Sequence, residues 1–209
     1  MSRQKNIPFL SEYDKRTFGP LVDQLKPFTN KKFFGYLQKG RAEELGVATL
    51  THADLHSGNV MTKPNPDGSP SDEVATFFDW QLGFFGNALF DLARFACVSA
   101  DADIRRGIED VALDEYYDAY IKHSERPDPK FTRDVCQELY DLGIVMEALE
   151  FQFLFHLVSG NLNPRNDRHL ESLLARFALR ARLTMEDGIR AIEKYKLLDV
   201  AKNKCLKTV

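Results

Sequence analysis

Leu50-Thr51-His52-Ala53-Asp54-Leu55-His56-Ser57-Gly58-Asn59-Val60-Met61 is the stretch on which the fold turns. A short apolar and β-branched run, Val47 to Leu50, leads into it. The polar string from His52 to Asn59 interrupts the pattern and Val60-Met61 resumes it, so the local reading is strand, loop, strand. Thr62 to Glu73 then carries Pro64, Pro66, Gly68 and Pro70 among polar residues. Val74 to Phe78 becomes strand-like again, which predicts a hairpin with a long exposed loop.

Upstream, from Ser11 to about Leu45, helix-compatible stretches are interrupted at Gly19-Pro20, at Pro27 to Asn30 and around Gly40, and two or three short helices are expected. Downstream, Asn87 is a candidate helix cap ahead of Ala88 to Ala100, where Leu89, Leu92, Ala93, Ala96 and Cys97 recur at helical spacing. Ile108, Val111, Ala112, Tyr116 and Tyr120 share one face of a further helix. Val135 to Val158 reads as a long apolar helix ending near Gly160, and Leu170 to Leu198 as another. A few short strands holding a polar loop, followed only by helices, give an α+β architecture that is mainly α-helical.

With 209 residues and 44% hydrophobic content, the chain can bury one sizeable core, and residues 1–209 are expected to form a single domain. A formal charge of −3 supplies no basic field for nucleic acid or anionic lipid, so neither is an expected partner. Cys97, Cys136 and Cys205 are odd in number and lack C-x-x-C spacing, which argues against a disulfide framework or a zinc knuckle. No signal-like segment opens the chain and no eighteen apolar residues run together, so the expected setting is cytoplasmic, away from the membrane. Nothing in the sequence bears on the oligomeric state.

Phosphoryl transfer requires a carboxylate to orient and deprotonate the attacking hydroxyl, and oxygen ligands to hold Mg²⁺ against the phosphates. In the protein-kinase signature H-R-D-x-x-x-x-N the aspartate is the base and the asparagine five residues later is a metal ligand; a second aspartate arrives on the next hairpin. His52, Asp54 and Asn59 reproduce that spacing, and Asp79 opens Asp79-Trp80-Gln81 after the second hairpin strand.

Three blocks in order carry a resemblance. The loop Leu50 to Met61 is similar to an H-G-D-L-H-x-x-N loop, Phe77-Phe78-Asp79-Trp80-Gln81 to I-D-W-Q, and Gly86-Asn87-Ala88-Leu89-Phe90-Asp91-Leu92-Ala93 to G-N-P-x-x-D-L-A. The chain thereby resembles the aminoglycoside phosphotransferase and choline kinase superfamily, above all its ecdysteroid-kinase-like, CHK-type branch. The matching part, about residues 10–200, resembles the C-terminal lobe of the protein-kinase-like fold, with a small β-hairpin carrying the catalytic and metal loops. The resemblance implies an ATP-dependent phosphotransferase acting on a hydroxyl of a small molecule, with ATP and Mg²⁺ as cofactors. It implies Asp54 as catalytic base, Asn59 and Asp79 as metal ligands, and His52 and Asp91 as structural supports of the site. Ala53 and Ala88 depart from the usual Gly and Pro. The nucleotide-binding lobe of such a kinase is not recognisable: 51 residues precede His52, without G-x-G-x-x-G, so the chain reads as a C-lobe fragment or truncated form.

Three alternatives accompany this reading. The chain could be a non-catalytic small-molecule-binding or regulatory module derived from such a kinase. His52, Asp54 and His56 could instead form a hydrolase metal cluster, since alternate strand residues project to one face. Phe151, Phe153 and Phe155 with Phe90 and Phe95 could line a pocket, although aromatic residues in a long helix are usually core; His156 is read as an interior histidine. Trp80, the single tryptophan, belongs to the metal motif and does not by itself make a cation cage. The apolar, aromatic helices favour a lipophilic hydroxylated substrate over a polycationic sugar.

Overall fold

A computed structural model describes residues 8–161 and 168–205. Among them the backbone is mainly helical, with two small antiparallel sheets, as the pattern of short strands followed by helices predicts. They divide into two compact units, one spanning Gly35–Ile144 and the other made of residues on either side of it.

The flanking unit is helical. It contains α1 (Pro8–Leu25), the later part of α6 (Arg133–Asn161), α7 (Arg168–Lys194) and α8 (Leu197–Val200). The expected break at Gly19-Pro20 does not occur: α1 runs through Pro20. A proline removes one backbone donor. Phe18 and Leu25, one on each side of it, are both buried, and α1 packs on α7, so tertiary burial holds the helix across the defect. The break near Pro27 to Asn30 does occur; a 3₁₀ turn over Lys26–Phe28 precedes α2 (Lys31–Gly35), and Asn30 Oδ1 accepts from Phe33 N–H at 2.9 Å as an N-terminal cap. Phe151 packs on Phe177 at 5.5 Å between centroids. The helix expected to reach Leu198 ends at Lys194, and Lys196 adopts φ 50° before α8 begins.

The central unit opens with the rest of that helical run. At Gly40 the chain does not break but passes through a π-helical turn, Tyr36–Gly40, into α3 (Arg41–Leu45), which Gly46 stops at φ 75°. Strand β1 (Thr49–Thr51) pairs antiparallel with β4 (Phe84–Gly86), Leu50 facing Phe85. Strands β2 (Val60–Pro64) and β3 (Pro70–Phe77) form a hairpin. Its loop is far shorter than expected, because local bonds close it tightly: Asn65 N–H donates to Ser69 O, Gly68 N–H to Asn65 O with Gly68 at φ 84°, and Ser69 N–H to Asp67 Oδ1.

Helices α4 (Phe90–Ser99), α5 (Ala102–His123) and the first part of α6 complete this unit. Contacts without spare room set α4 in place. A Cβ on Gly143 of α6 would stand 2.6 Å from the Ala93 Cβ, and one on Gly86 would run into the Gln38 carbonyl oxygen. Asn87 is buried; its amide donates to Leu139 O at 2.9 Å while its Oδ1 accepts from Leu89 N–H, ordering the turn just before α4. On α5 the apolar reading is corrected. Ile108 and Val111 are exposed, whereas Ala102, Arg105 and Leu113 are buried. Arg105 pairs with Glu109, which also accepts from the Tyr140 hydroxyl, so a satisfied polar cluster turns this face inward.

Of the aromatic row, Phe90 and Phe151 are core, whereas Phe95 and Phe153 are exposed. The side chains of Phe155 and His156 lie outside the described residues. Cys97 and Cys136 are buried and in no disulfide, and Cys205 lies outside the described side chains. No helix among the described residues is long and apolar enough to cross a membrane.

Candidate functional site

The loop between β1 and β2 is shaped by one left-handed residue. Ala53 takes φ 69°, which for a residue with a Cβ costs about 1–2 kcal/mol. That conformation turns Asp54 N–H back onto His52 Nδ1, 3.3 Å away. Since Nδ1 accepts, the His52 ring proton sits on Nε2, which donates to Phe78 O at 2.8 Å. The ring also lies against Trp80, 4.6 Å between centroids, and is itself buried.

Asp91, in the first turn of α4, supplies what the loop's backbone lacks. Its two carboxylate oxygens accept from His52 N–H at 2.7 Å and Ala53 N–H at 2.8 Å. These are the N–H of the strained residue and that of the residue before it, and bonds to a charged acceptor are about twice as strong as neutral ones. Burial pushes the Asp91 carboxyl above the ordinary carboxylate range, with the two N–H donors opposing the shift. Ser99, at the far end of α4, accepts from Ser57 N–H at 2.8 Å.

Asn59 is buried after a 3₁₀ turn over Ser57–Asn59, and its amide donates to Asp54 O at 2.9 Å. Among the described residues its amide oxygen accepts no hydrogen bond, and it is the atom suited to a cation. Asn59 O accepts from Phe78 N–H at 3.2 Å. Phe78 is thus held on both peptide groups, N–H by Asn59 and C=O by His52, and the residue that follows it is Asp79. Asp79 is exposed and left-handed, φ 66° and ψ 56°. His52, Asp54, Asn59 and the sequence-distant Asp91 are therefore joined by one hydrogen-bonded frame, to which Asp79 is attached through Phe78.

Reading the sequence missed Arg94. Its Nη2 and Nε donate to Asp54 Oδ1 at 2.7 and 3.1 Å, with both side chains largely shielded from solvent. The available signal was its place one helical turn after Asp91, where residues i and i+3 share a face.

The donor set fits a hard divalent cation: Mg²⁺ takes oxygen ligands, keeps several waters, and is held by one or two protein groups plus substrate phosphates. Asn59 and Asp79 could supply two such oxygen ligands. The hydrolase-like cluster of His52, Asp54 and His56 does not assemble. Both His52 nitrogens are engaged, His56 Nδ1 accepts from Gly58 N–H at 3.0 Å, and no three His, Cys, Asp or Glu among the described residues gather to hold a metal.

The chain is 25% identical over 153 residues to a Caenorhabditis elegans protein described as an uncharacterized oxidoreductase, dhs-27. The alignment covers 71% of this chain and 19% of that protein. No solved structure matches the chain. The model of the ecdysteroid kinase-like family matches residues 5–127, which take in the loop, the hairpin and the whole of α4 and α5, and the chain belongs to that family.

Proposed function

We propose that this chain provides the catalytic lobe of an ATP-dependent phosphotransferase acting on a hydroxyl group of a small molecule. Family membership supports the kinase-like class. One observation carries the finer reading: Asn59 and His52 grip the two peptide groups of Phe78, which couples the loop bearing Asp54 to the turn bearing Asp79. A phosphoryl-transfer site needs a base and a metal aspartate held at a fixed spacing, and this is a device for holding them.

In this reading Asp54 orients the acceptor hydroxyl and takes its proton as the hydroxyl oxygen bonds to the γ-phosphorus and the bond from that phosphorus to ADP breaks. Asn59, through its amide oxygen, and Asp79 would hold Mg²⁺. Mg²⁺ held there would supply charge neutralisation for the nucleotide phosphates. His52 and Asp91 keep the loop in its left-handed turn.

In this reading a nucleotide-binding lobe would be needed, and the described elements ahead of β1, all helical, do not supply it. The cross-strand partners Leu50 and Phe85, 60% and 65% exposed, would offer such a lobe an apolar contact. The oxidoreductase description belongs to a protein of which this chain matches 19%, and G-x-G-x-x-G occurs nowhere in the present sequence.

The test is phosphoryl transfer from γ-labelled ATP to a panel of hydroxyl-bearing lipophilic and polar small molecules, using the full natural protein. Transfer that depends on Mg²⁺ and falls about 10²–10⁴-fold in Asp54→Ala is expected. Absence of transfer across the panel, with folded protein and bound ATP, would overturn the reading.

A further inference from the structure

We infer that Arg94 is a positioning residue for the Asp54 carboxylate, an inference that rests on the phosphotransferase reading for its catalytic meaning. Asp54 has two carboxylate oxygens, and Arg94 holds one of them, Oδ1, with two nitrogens at 2.7 and 3.1 Å. Two donors from a planar guanidinium fix the direction of the carboxylate as well as its location, which a single ammonium does not. The other oxygen, Oδ2, is left for an acceptor hydroxyl.

The surroundings make this more than a surface ion pair. Arg94 and Asp54 side chains are 11% and 19% exposed, so water competes weakly for either. Helix α4 grips the same loop at three heights. Asp91 takes the N–H groups of His52 and Ala53, Arg94 takes the Asp54 side chain, and Ser99 takes Ser57 N–H. Residues 91, 94 and 99 lie on one side of the helix. Packing fixes the opposite side, where Ala93 meets Gly143 with no space for another methyl group. The backbone of the loop is thereby secured by Asp91 and Ser99, and Arg94 adds a separate function: it selects the rotamer of the group that receives the proton.

That division is testable in the full chain without a substrate. In isotopically labelled protein, three-bond couplings to the Asp54 Hβ protons report its χ1 rotamer, and amide exchange at His52 and Ala53 reports the Asp91 brace. Wild type is expected to show one rotamer. Arg94→Met is expected to average the Asp54 couplings over several rotamers while exchange at His52 and Ala53 stays as in wild type. A single rotamer retained in folded Arg94→Met overturns the inference. Should Arg94→Met fail to fold, Arg94→Lys decides: it keeps the charge but loses the two-nitrogen fork, so averaged couplings support the inference and a single retained rotamer overturns it.

With an acceptor in hand, Arg94→Lys is further expected to lower kcat by about 10²-fold with KM unchanged. Absence of turnover in every variant, wild type included, would count against the phosphotransferase reading, while the couplings would still decide the role of Arg94.

Discussion

The two ends of the candidate site are built differently. At the Asp54 end the loop is partly buried and α4 clamps it through Asp91, Arg94 and Ser99. At the Asp79 end the side chain is exposed, and the residue is located through its neighbour Phe78. Both ends contain a left-handed non-glycine residue, Ala53 and Asp79. The strain at Ala53 is countered by two charge-assisted bonds to its own peptide group and the preceding one. Asp79, by contrast, is of a residue type that tolerates this conformation. The difference suits the proposed division of labour: a base must hold one direction, whereas a metal ligand adjusts to the cation and phosphates it meets.

The largest expected effect tests whether the Asp54 end depends on a frame with no spare room. Gly86→Ala would drive a methyl group into the Gln38 carbonyl, a backbone atom that cannot swing away, and should cost about 3 kcal/mol or more in a urea unfolding experiment. A loss below about 1 kcal/mol would mean the frame relaxes easily, and the contrast between the two ends would weaken.

Asp91→Ala should cost about 2–4 kcal/mol, since it strands two part-buried N–H groups. Amide exchange at His52 and Ala53 should accelerate along with the loss of stability. By comparison, Asp79→Asn should leave stability within about 0.5 kcal/mol while abolishing Mg²⁺-dependent transfer, because the amide tolerates the left-handed backbone but lacks the charge. Equal destabilisation by the two substitutions would break the comparison outright.

Ala53→Gly should stabilise the protein by up to about 1 kcal/mol, the relieved left-handed strain being partly offset by the added freedom of the unfolded chain. A subtler effect concerns pH. The Asp91 carboxyl is raised above its ordinary value of 3.8, chiefly by burial. A raised carboxyl favours the folded state in its protonated form. Its contribution is therefore full below 3.8 and is lost as pH rises through the folded value. Stability measured against pH in that window should decline more in wild type than in Asp91→Asn, and equal slopes would show that the two N–H donors cancel the cost of burial.

Much of the site could be read from the chain because its parts are local. His52, Asp54 and Asn59 lie within eight residues, and Asp79 follows a strand that the apolar pattern of Val74 to Phe78 announces. Helix content was legible for the same reason, since apolar spacing along α4, α6 and α7 records which face each helix buries. Arg94 was not legible as a partner of Asp54, for their contact spans forty residues and an arginine on a helix is usually solvated.

Sequence alone determined the strand, loop and strand around His52 to Asn59, the α+β class, and the residue types able to hold a proton and a divalent cation. These follow from short-range periodicity and spacing. Tertiary structure decided the rest: that α1 survives Pro20, that Ile108 and Val111 face outward, that the hairpin closes in a tight turn, and that α4 reaches the loop with Arg94 beside Asp91. Each depends on which surfaces meet after folding, and burial of distant partners outweighs the local preference of about 1–3 kcal/mol that a single residue can express.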